Sequence, residues 1–531
     1  MPRIGVGIGI GLPPIVAAAG GYDADAQAFF DRVATAGGTL STTEKNAVNQ
    51  LVLDMKSAGI WTSMKAVYPM VGASAAACAQ NLVSASFTGT FSSGWTFAST
   101  GVTPNGTSAY MDTGLVPSTS LTLNSSHFSY YSRTNSQSDG FLGTAATAAL
   151  NGSQLYLRGG FYTNKIHAVI GMSIGSTTLQ NIIADNTNSQ GFYTVKRTSG
   201  INSALFKNGV SLATNTVQTV GGYNSFSFYL GARNNQNVVT NYDDRQCAFS
   251  SIGDGLTDTQ ASNFYTAVQT FNQTLNRQVG AQIVSDADAQ AYINRVYTAG
   301  GTLTNTEANA VNQLVIDMKA AGIWNAMKAV YPMVGASAAS CAQNLKSSSF
   351  TGTFSSGWTF ASTGATPNGT SAYMDTGLTP SSSLSLDSTH ISSYIRNSTT
   401  GILLGTDNVN RLWIAPNFNG INKYAEINSG TITNPSLTIS TAVGFWIGSR
   451  TSSTSTKLYN NNSINYSHTG LSVGLDNISI VLSARNTLGG ASNFNGGQIA
   501  LSSIGDGLTD TQAADFYTCV NTFQVSLSRN V

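Results

Sequence analysis

Apolar residues recur every three or four positions near the start of the chain, which is the spacing of one buried helix face. This spacing predicts a helix over Asp23–Ala36, and the capping box Ser41–Glu44 opens a second helix. We interpret the run Trp61–Tyr68 as a further short helix, which Pro69 ends. A later capping box, Thr257–Gln260, opens a helix with an aromatic stripe.

The long region between these helices has a different pattern. Short stretches rich in Phe, Tyr, Val, Ile and Thr are separated by Gly, Asn and Ser at close intervals. Such spacing is typical of antiparallel strands joined by tight turns, and it does not fit alternating strands and helices. We therefore predict a mainly β fold, a sandwich or a barrel, with helices on both flanks.

The whole arrangement occurs twice along the chain. The 29 residues Phe87–Leu115 recur at Phe350–Leu378 with one difference, Val102 against Ala365. Each copy closes on SSIGDGLTDTQA, where its last helix begins, whereas the middle segments 130–245 and 393–498 are much less alike. The sequence thus predicts two tandem domains of one fold. The predicted organisation is an arm at 1–22, a first repeat at 23–279, a linker at 280–285 and a second repeat at 286–531.

The first residues alternate glycine with isoleucine or valine, in IGVGIGIG. A period of two favours an extended, strand-like arm. A basic residue, an apolar run and small residues also resemble a signal peptide, but Pro13 and Pro14 suit a helical apolar region poorly. We predict an arm that anchors the protein to a partner. The residues predicted to anchor it are Arg3, Ile4, Val6, Ile8, Ile10 and Leu12.

Composition narrows the classes of partner. Charged residues are 9% of the chain, against about 25% in ordinary globular proteins, yet 41% are hydrophobic, so the chain is not expected to be disordered. A net charge of +1 without a basic run predicts no nucleic acid partner. Apolar runs are too short for membrane insertion. Four cysteines fit no zinc spacing and are expected to be plain buried thiols.

The run Gly357–Leu378 resembles the opening of a concanavalin A-like, laminin-G-like jelly roll. Pro104–Thr107 and Tyr110–Asp112 supply the turn and the following short strand in the first copy. A helical pair with MKAVYP, a jelly roll and a closing SIGDGLTDT helix together resemble bacteriophage proteins of uncharacterised function. The resemblance implies a virion protein such as a head fibre, decoration, spike or tail component.

Catalytic groups are sparse. Glucanases of the jelly-roll superfamily resemble one another in an E-x-D-x-x-E strand motif, which this chain lacks. The chain has three glutamates, of which Glu44 and Glu307 belong to capping boxes and Glu426 lies in a β region. Retaining hydrolysis needs two carboxylates about 5 Å apart. We therefore predict that the protein is not an enzyme and needs no cofactor.

Two sets of residues remain as candidate binding sites. Asp112 and Asp375 could belong to a calcium site like that of laminin-G-like domains. Asp254 and Asp506 are each followed by glycine, and a tight turn leading into the capped helix explains them better than a cation site does. Aromatic rings can stack on sugars, although they more often belong to a core. The candidate metal ligands are Asp112, Asp375, Asp254 and Asp506, and the candidate sugar platforms are Trp95 and Trp358.

The function predicted from the sequence is that of a non-enzymatic virion protein. It would sit at the surface of the particle, held by other virion proteins through its arm, and project two lectin-like domains toward host glycans. A homo-oligomer is expected, because several copies would add avidity. The alternative is a secreted bacterial carbohydrate-binding lectin, and a glycan hydrolase is a further alternative.

Overall fold

The computed structural model describes residues 21–145, 150–158, 163–174, 182–216, 222–420, 422–430, 442–488 and 490–531. The chain divides into two compact units between Ile283 and Val284. The predicted arm, apart from its last two residues, lies outside the described residues, and so do all six of its predicted anchoring residues.

The helices of the first unit begin where their caps predict. Asp23 accepts a hydrogen bond at the start of the first helix, and the Ser41–Glu44 and Thr257–Gln260 capping boxes are both formed. Its helices are α1 (Ala24–Thr35), α2 (Thr42–Ser57), α3 (Ala75–Cys78), α4 (Pro117–Ser120) and α5 (Asp258–Thr274).

Most strands of the first unit pair antiparallel and form two sheets. The strands are β1 (Met64–Tyr68), β2 (Thr90–Phe91), β3 (Trp95–Ala98), β4 (Gly101–Pro104), β5 (Met111–Asp112), β6 (Ser126–Ser132), β7 (Ser138–Ala145), β8 (Leu150–Arg158), β9 (Lys165–Ile174), β10 (Ile182–Asp185), β11 (Gly191–Ser199), β12 (Asn202–Lys207), β13 (Val210–Asn215), β14 (Tyr229–Leu230), β15 (Arg233–Asn235), β16 (Val238–Thr240) and β17 (Cys247–Gly253). One sheet runs β13-β12-β11-β6-β17-β4-β3, with β1 also on β17, and the other runs β10-β9-β8-β7-β14-β5-β2.

Two apolar cores hold three layers together. Between the sheets lie residues such as Phe128, Leu155 and Val195. On the other face of the β17 sheet, Phe249 and neighbouring side chains pack against α1, α2 and α5, where Phe264 is fully buried. Strands buried on both faces explain why these segments lack a strict alternation of apolar and polar residues.

The second unit repeats this order. Its helices are α6 (Ala287–Thr298), α7 (Asn305–Ala320), α8 (Ala338–Cys341), α9 (Pro380–Ser383) and α10 (Asp510–Ser526). Its strands are β18 (Met327–Tyr331), β19 (Thr353–Phe354), β20 (Trp358–Ala361), β21 (Gly364–Pro367), β22 (Met374–Asp375), β23 (Thr389–Ile395), β24 (Leu404–Asp407), β25 (Arg411–Ala415), β26 (Tyr424–Ser429), β27 (Gly444–Ser452), β28 (Ser455–Asn460), β29 (Ser463–His468), β30 (Val481–Leu482), β31 (Arg485–Thr487), β32 (Gly490–Ser492) and β33 (Ile499–Gly505).

The two sheets of the second unit run β20-β21-β33-β23-β27-β28-β29 and β19-β22-β30-β24-β25-β26. In each unit the last strand in the sequence, β17 or β33, lies inside its sheet with a paired strand on each side. The predicted fold class is confirmed: both units are β-sandwiches with helices before and after the strands.

One sequence interpretation was wrong. Trp61–Ser63 forms a single 3-10 turn, but Met64–Tyr68 is a strand and not a helix. This strand pairs antiparallel with β17, from Met64 opposite Gly253 to Tyr68 opposite Ser250. A short apolar run has the same appearance in a buried helix and a buried strand, so the partner strand decided its conformation.

Candidate functional site

The aspartates proposed as calcium ligands belong to turns and ion pairs. Asp112 Oδ1 accepts the backbone N–H of Gly114 at 2.9 Å, and Asp375 accepts that of Gly377 at 2.9 Å. Both are Asx turns, which the aspartate side chain stabilises by itself.

The second pair of aspartates contacts lysines. Asp254 lies 3.1 Å from Lys65, and Asp506 lies 3.1 Å from Lys328. Across the described ranges, no three His, Cys, Asp or Glu side chains are grouped in a way that could hold a metal ion. Within the described part of the chain, these aspartates are not grouped with further acidic ligands.

The candidate sugar platforms lie at the rim of the core. Trp95 and Trp358 are half-buried, and each packs edge to face on the preceding phenylalanine, at 5.2 Å for Phe91 and 5.0 Å for Phe354. Trp358 Nε1 also donates to the backbone carbonyl of Tyr373 at 3.2 Å. These contacts favour a packing role for both rings.

One histidine in each unit, His127 and His390, is completely buried. His127 Nδ1 donates to the backbone carbonyl of Asp254 at 2.6 Å, so Nε2 accepts from the Ser251 hydroxyl at 3.1 Å. Burial lowers the pKa of His127 to about 4, and the Asp254 carbonyl offsets part of that decrease. His390 has the same contacts in the second unit, with a pKa also near 4. A serine and histidine sealed in this way have no access to a substrate.

A buried arginine near the end of each unit donates hydrogen bonds to three backbone carbonyls. The Arg277 guanidinium donates to the backbone carbonyls of Pro69 (2.6 Å), Met70 (2.7 Å) and Ala248 (2.9 Å), and Nε donates to Asn272 Oδ1 at 2.8 Å. Burial lowers the pKa of Arg277 to about 10, so the side chain stays charged at neutral pH. In the second unit the corresponding set is Arg529 with Pro332, Met333, Ala500 and Gln524.

The second unit also has an open cleft of about 430 Å³ beside the start of α7. Its wall combines the loop before this helix, the loop after β18, the tip of the β20–β21 hairpin and the end of α10. Hydroxyl groups dominate the polar part of the wall. Polar or backbone groups come from Thr302, Thr304, Glu307, Gly335, Ser362 and Ser528.

Glu307 is the carboxylate in this wall. Oε1 accepts the Gly335 N–H at 2.8 Å, and Oε2 accepts the Thr304 N–H at 2.8 Å and its hydroxyl at 2.9 Å. A carboxylate has about four acceptor positions, so three hydrogen bonds leave capacity for one more donor. Ala336, beside Gly335, has φ of 46°, a left-handed conformation that alanine rarely adopts.

The first unit carries the same residue types at the corresponding positions. Glu44 accepts hydrogen bonds from Ser41 and from the Gly72 N–H at 2.8 Å, and Ala73 has φ of 44°. The sequence interpretation recognised Glu44 and Glu307 as capping residues and missed the place of Glu307 in a cleft. The signal in the sequence was that two of the three glutamates lie at equivalent positions of the two copies. The hairpin tip and the last helix, which complete the cleft, come from distant parts of the sequence and could not be connected with them.

No protein-family model matches the chain, and no curated protein matches it. Solved structures match at a distance. Domain 4 of AbnA, an extracellular GH43 arabinanase from Geobacillus stearothermophilus in complex with arabinotriose, is 14% identical and covers 38% of this chain and 98% of its own, with a TM-score of 0.27.

Two other matches are comparably distant. The binding domain of botulinum neurotoxin serotype D is 13% identical over 37% of this chain and 52% of its own, with a TM-score of 0.27. The CBM40 of Ruminococcus gnavus IT-sialidase is 16% identical over 26% and 79%, with a TM-score of 0.19. At such scores these likenesses to lectin-like domains carry no argument about what this chain binds.

Proposed function

We propose that each unit is a non-enzymatic carbohydrate-binding domain, that the cleft beside Glu307 receives the sugar in the second unit, and that the corresponding residues around Glu44 do so in the first. The observation that supports this most is the wall of the cleft in the second unit. Hydroxyl groups, exposed backbone and one carboxylate with spare acceptor capacity converge on an open space of about 430 Å³. Sugar hydroxyls both donate and accept hydrogen bonds, so they complement such a wall.

The same wall supports binding without hydrolysis. Glu307 is the one acidic residue among those that line the cleft. Glycoside hydrolysis commonly requires a second carboxylate, either as a nucleophile or as the base that activates water. A single carboxylate already engaged in three hydrogen bonds is suited to hold a hydroxyl group in place.

For the setting of this activity we propose the surface of a bacteriophage particle. The alternating glycine arm would hold the chain to other virion proteins, and two sugar sites in each chain would multiply avidity, further so in a homo-oligomer. Arg3 followed by an apolar run and the alanines at 17–19 favours the alternative of a secreted lectin. N-terminal sequencing of the native protein separates them: an intact start supports the particle protein, and cleavage near Ala19 supports secretion.

A glycan array probed with the full chain tests the binding activity. Thr306→Trp places a large ring on an exposed wall position of the cleft, and Thr43→Trp places one at the corresponding exposed position of the first unit. We expect the wild-type chain to bind, each single variant to lose part of the signal, and the double variant to lose most of it. Ser57→Trp, at the exposed far end of α2, is the control. An unaltered signal from the double variant contradicts the assignment of the cleft.

A further inference from the structure

The segment that is nearly identical in both units forms one edge of each sandwich. We call residues 87–108 and 350–371 the hairpin edge; it contains β2 to β4 in the first unit and β19 to β21 in the second. The one position that differs, Val102 against Ala365, is fully buried in both units. Every exposed position of the hairpin edge is therefore the same in the two copies.

If packing alone limited divergence, buried positions would stay the same and exposed positions would differ. The hairpin edge shows the opposite. Substitutions at exposed positions usually change stability by less than about 0.5 kcal/mol, so surfaces are free to diverge first. Exposed positions elsewhere do differ: Ala34 corresponds to Tyr297, and Ser57 corresponds to Ala320. Exposed helix positions have thus diverged between the two units, whereas exposed positions of the hairpin edge have not.

Structural roles account for some of the shared exposed side chains, such as Asn105, whose Oδ1 accepts three backbone N–H groups, but not for all of them. Thr90, Thr96 and Thr107 are exposed, and among the described contacts their hydroxyls make no hydrogen bond. Their counterparts Thr353, Thr359 and Thr370 are exposed in the same way. A threonine with a free hydroxyl at a solvent-facing position contributes little to folding that serine, valine or glutamine would not.

We infer that the hairpin edge is a ligand-binding surface and that both units use it for the same neutral, hydroxyl-rich glycan. This inference rests on the proposed function and extends it from the cleft to a longer binding site. In the second unit the two surfaces are continuous, because Ser362 at the tip of the β20–β21 hairpin also lines the cleft. The diverged loops of the two units would then not determine which sugar is bound.

The chemistry of the edge identifies this class of ligand. No charged residue occurs between Phe87 and Met111 or between Phe350 and Met374, so an anionic polymer would meet no opposite charge. Its exposed side chains are small hydroxyls and amides, not the arginine and aromatic anchors that dominate protein interfaces. Hydroxyl groups on a neutral sugar match the groups that the edge presents.

Glutamate substitutions on the edge test the inference in the full chain. Thr96→Glu and Thr359→Glu are made singly and together, and Thr96→Lys and Thr359→Lys provide a second set in case either glutamate variant fails to fold. Ser57→Glu and Ala320→Glu are matched controls at exposed positions that differ between units. The probe is an array of neutral oligosaccharides printed beside their sialylated and sulfated forms.

We expect the wild type to bind neutral oligosaccharides. Each single variant should lower the signal by a similar factor, and the double variant should lower it by roughly tenfold or more, since avidity is lost with the second site. The controls should bind like the wild type. Wild-type binding that the double variants retain, or binding restricted to anionic sugars, overturns the inference and leaves the proposed function standing. A wild type that binds no sugar overturns both.

Discussion

Replacing Arg277 by methionine should destabilise the first unit and leave the second unchanged. The substitution keeps an unbranched apolar stem over Phe271 and removes every donor from three buried carbonyls. A buried acceptor left without a partner costs about 1–3 kcal/mol, so the three carbonyls cost at least about 3 kcal/mol. The substitution also removes the desolvation cost of the buried guanidinium charge, which offsets part of this destabilisation. We expect a net loss of about 3 kcal/mol in the free energy of unfolding of this unit.

Hydrogen exchange of the full chain measures this loss with an internal control. Amides in α5 and β17 that exchange only by unfolding of the first unit should exchange roughly 100-fold faster, since 1.4 kcal/mol is tenfold. Amides of the second unit should keep their protection in Arg277→Met, and the pattern should reverse in Arg529→Met. Arg277→Lys should fall between, because an ammonium cannot reach all three carbonyls. An acceleration below roughly fivefold in both methionine variants would refute the reasoning, since it corresponds to less than about 1 kcal/mol.

Three further predictions concern charge. The pKa of His127 and of His390 is about 4 in the fold and about 6.5 when unfolded, so the unfolded chain binds more protons between these values. Stability should be greatest above about pH 6.5 and decrease toward pH 4 by up to about 3 kcal/mol per histidine, as urea titrations at several pH values will show. Asp243→Asn leaves the buried guanidinium of Arg245 without its carboxylate and should cost the first unit alone about 3 kcal/mol, measured by the same exchange experiment. Asp254→Asn breaks a half-exposed ion pair and should change stability by less than about 1 kcal/mol, while millimolar calcium should not shift the melting temperature of the wild type.

Local signals in the sequence were enough to predict the helices and the tandem repeat. The capping boxes at Ser41 and Thr257 fix helix starts through contacts three residues apart, which sequence spacing displays directly. Met64–Tyr68 was misassigned because its conformation depends on β17, nearly two hundred residues away. Sequence spacing contains no information about such a partner.

The roles of the buried arginines and histidines could not be predicted from the sequence for the same reason. Arg277 contacts carbonyls of Pro69 and Met70 more than two hundred positions earlier, and a carbonyl has no residue type to recognise. His127 occupies a strand where a surface histidine would look the same in sequence. The cleft likewise combines a capping glutamate with a distant hairpin tip, so its parts were visible and its assembly was not.

The position of β17 has a consequence for biosynthesis. This strand lies between β6 and β4, yet it is made after every other strand of its sheet, so the first unit stays open until about residue 253 has been translated. Domains generally fold as units during synthesis, the N-terminal one first. The interchangeable copy of the hairpin edge begins only at Phe350, when the first unit can already have paired with its own strands. The ribosome thereby separates in time two segments that could otherwise exchange, a protection that a denatured full-length chain lacks when it refolds.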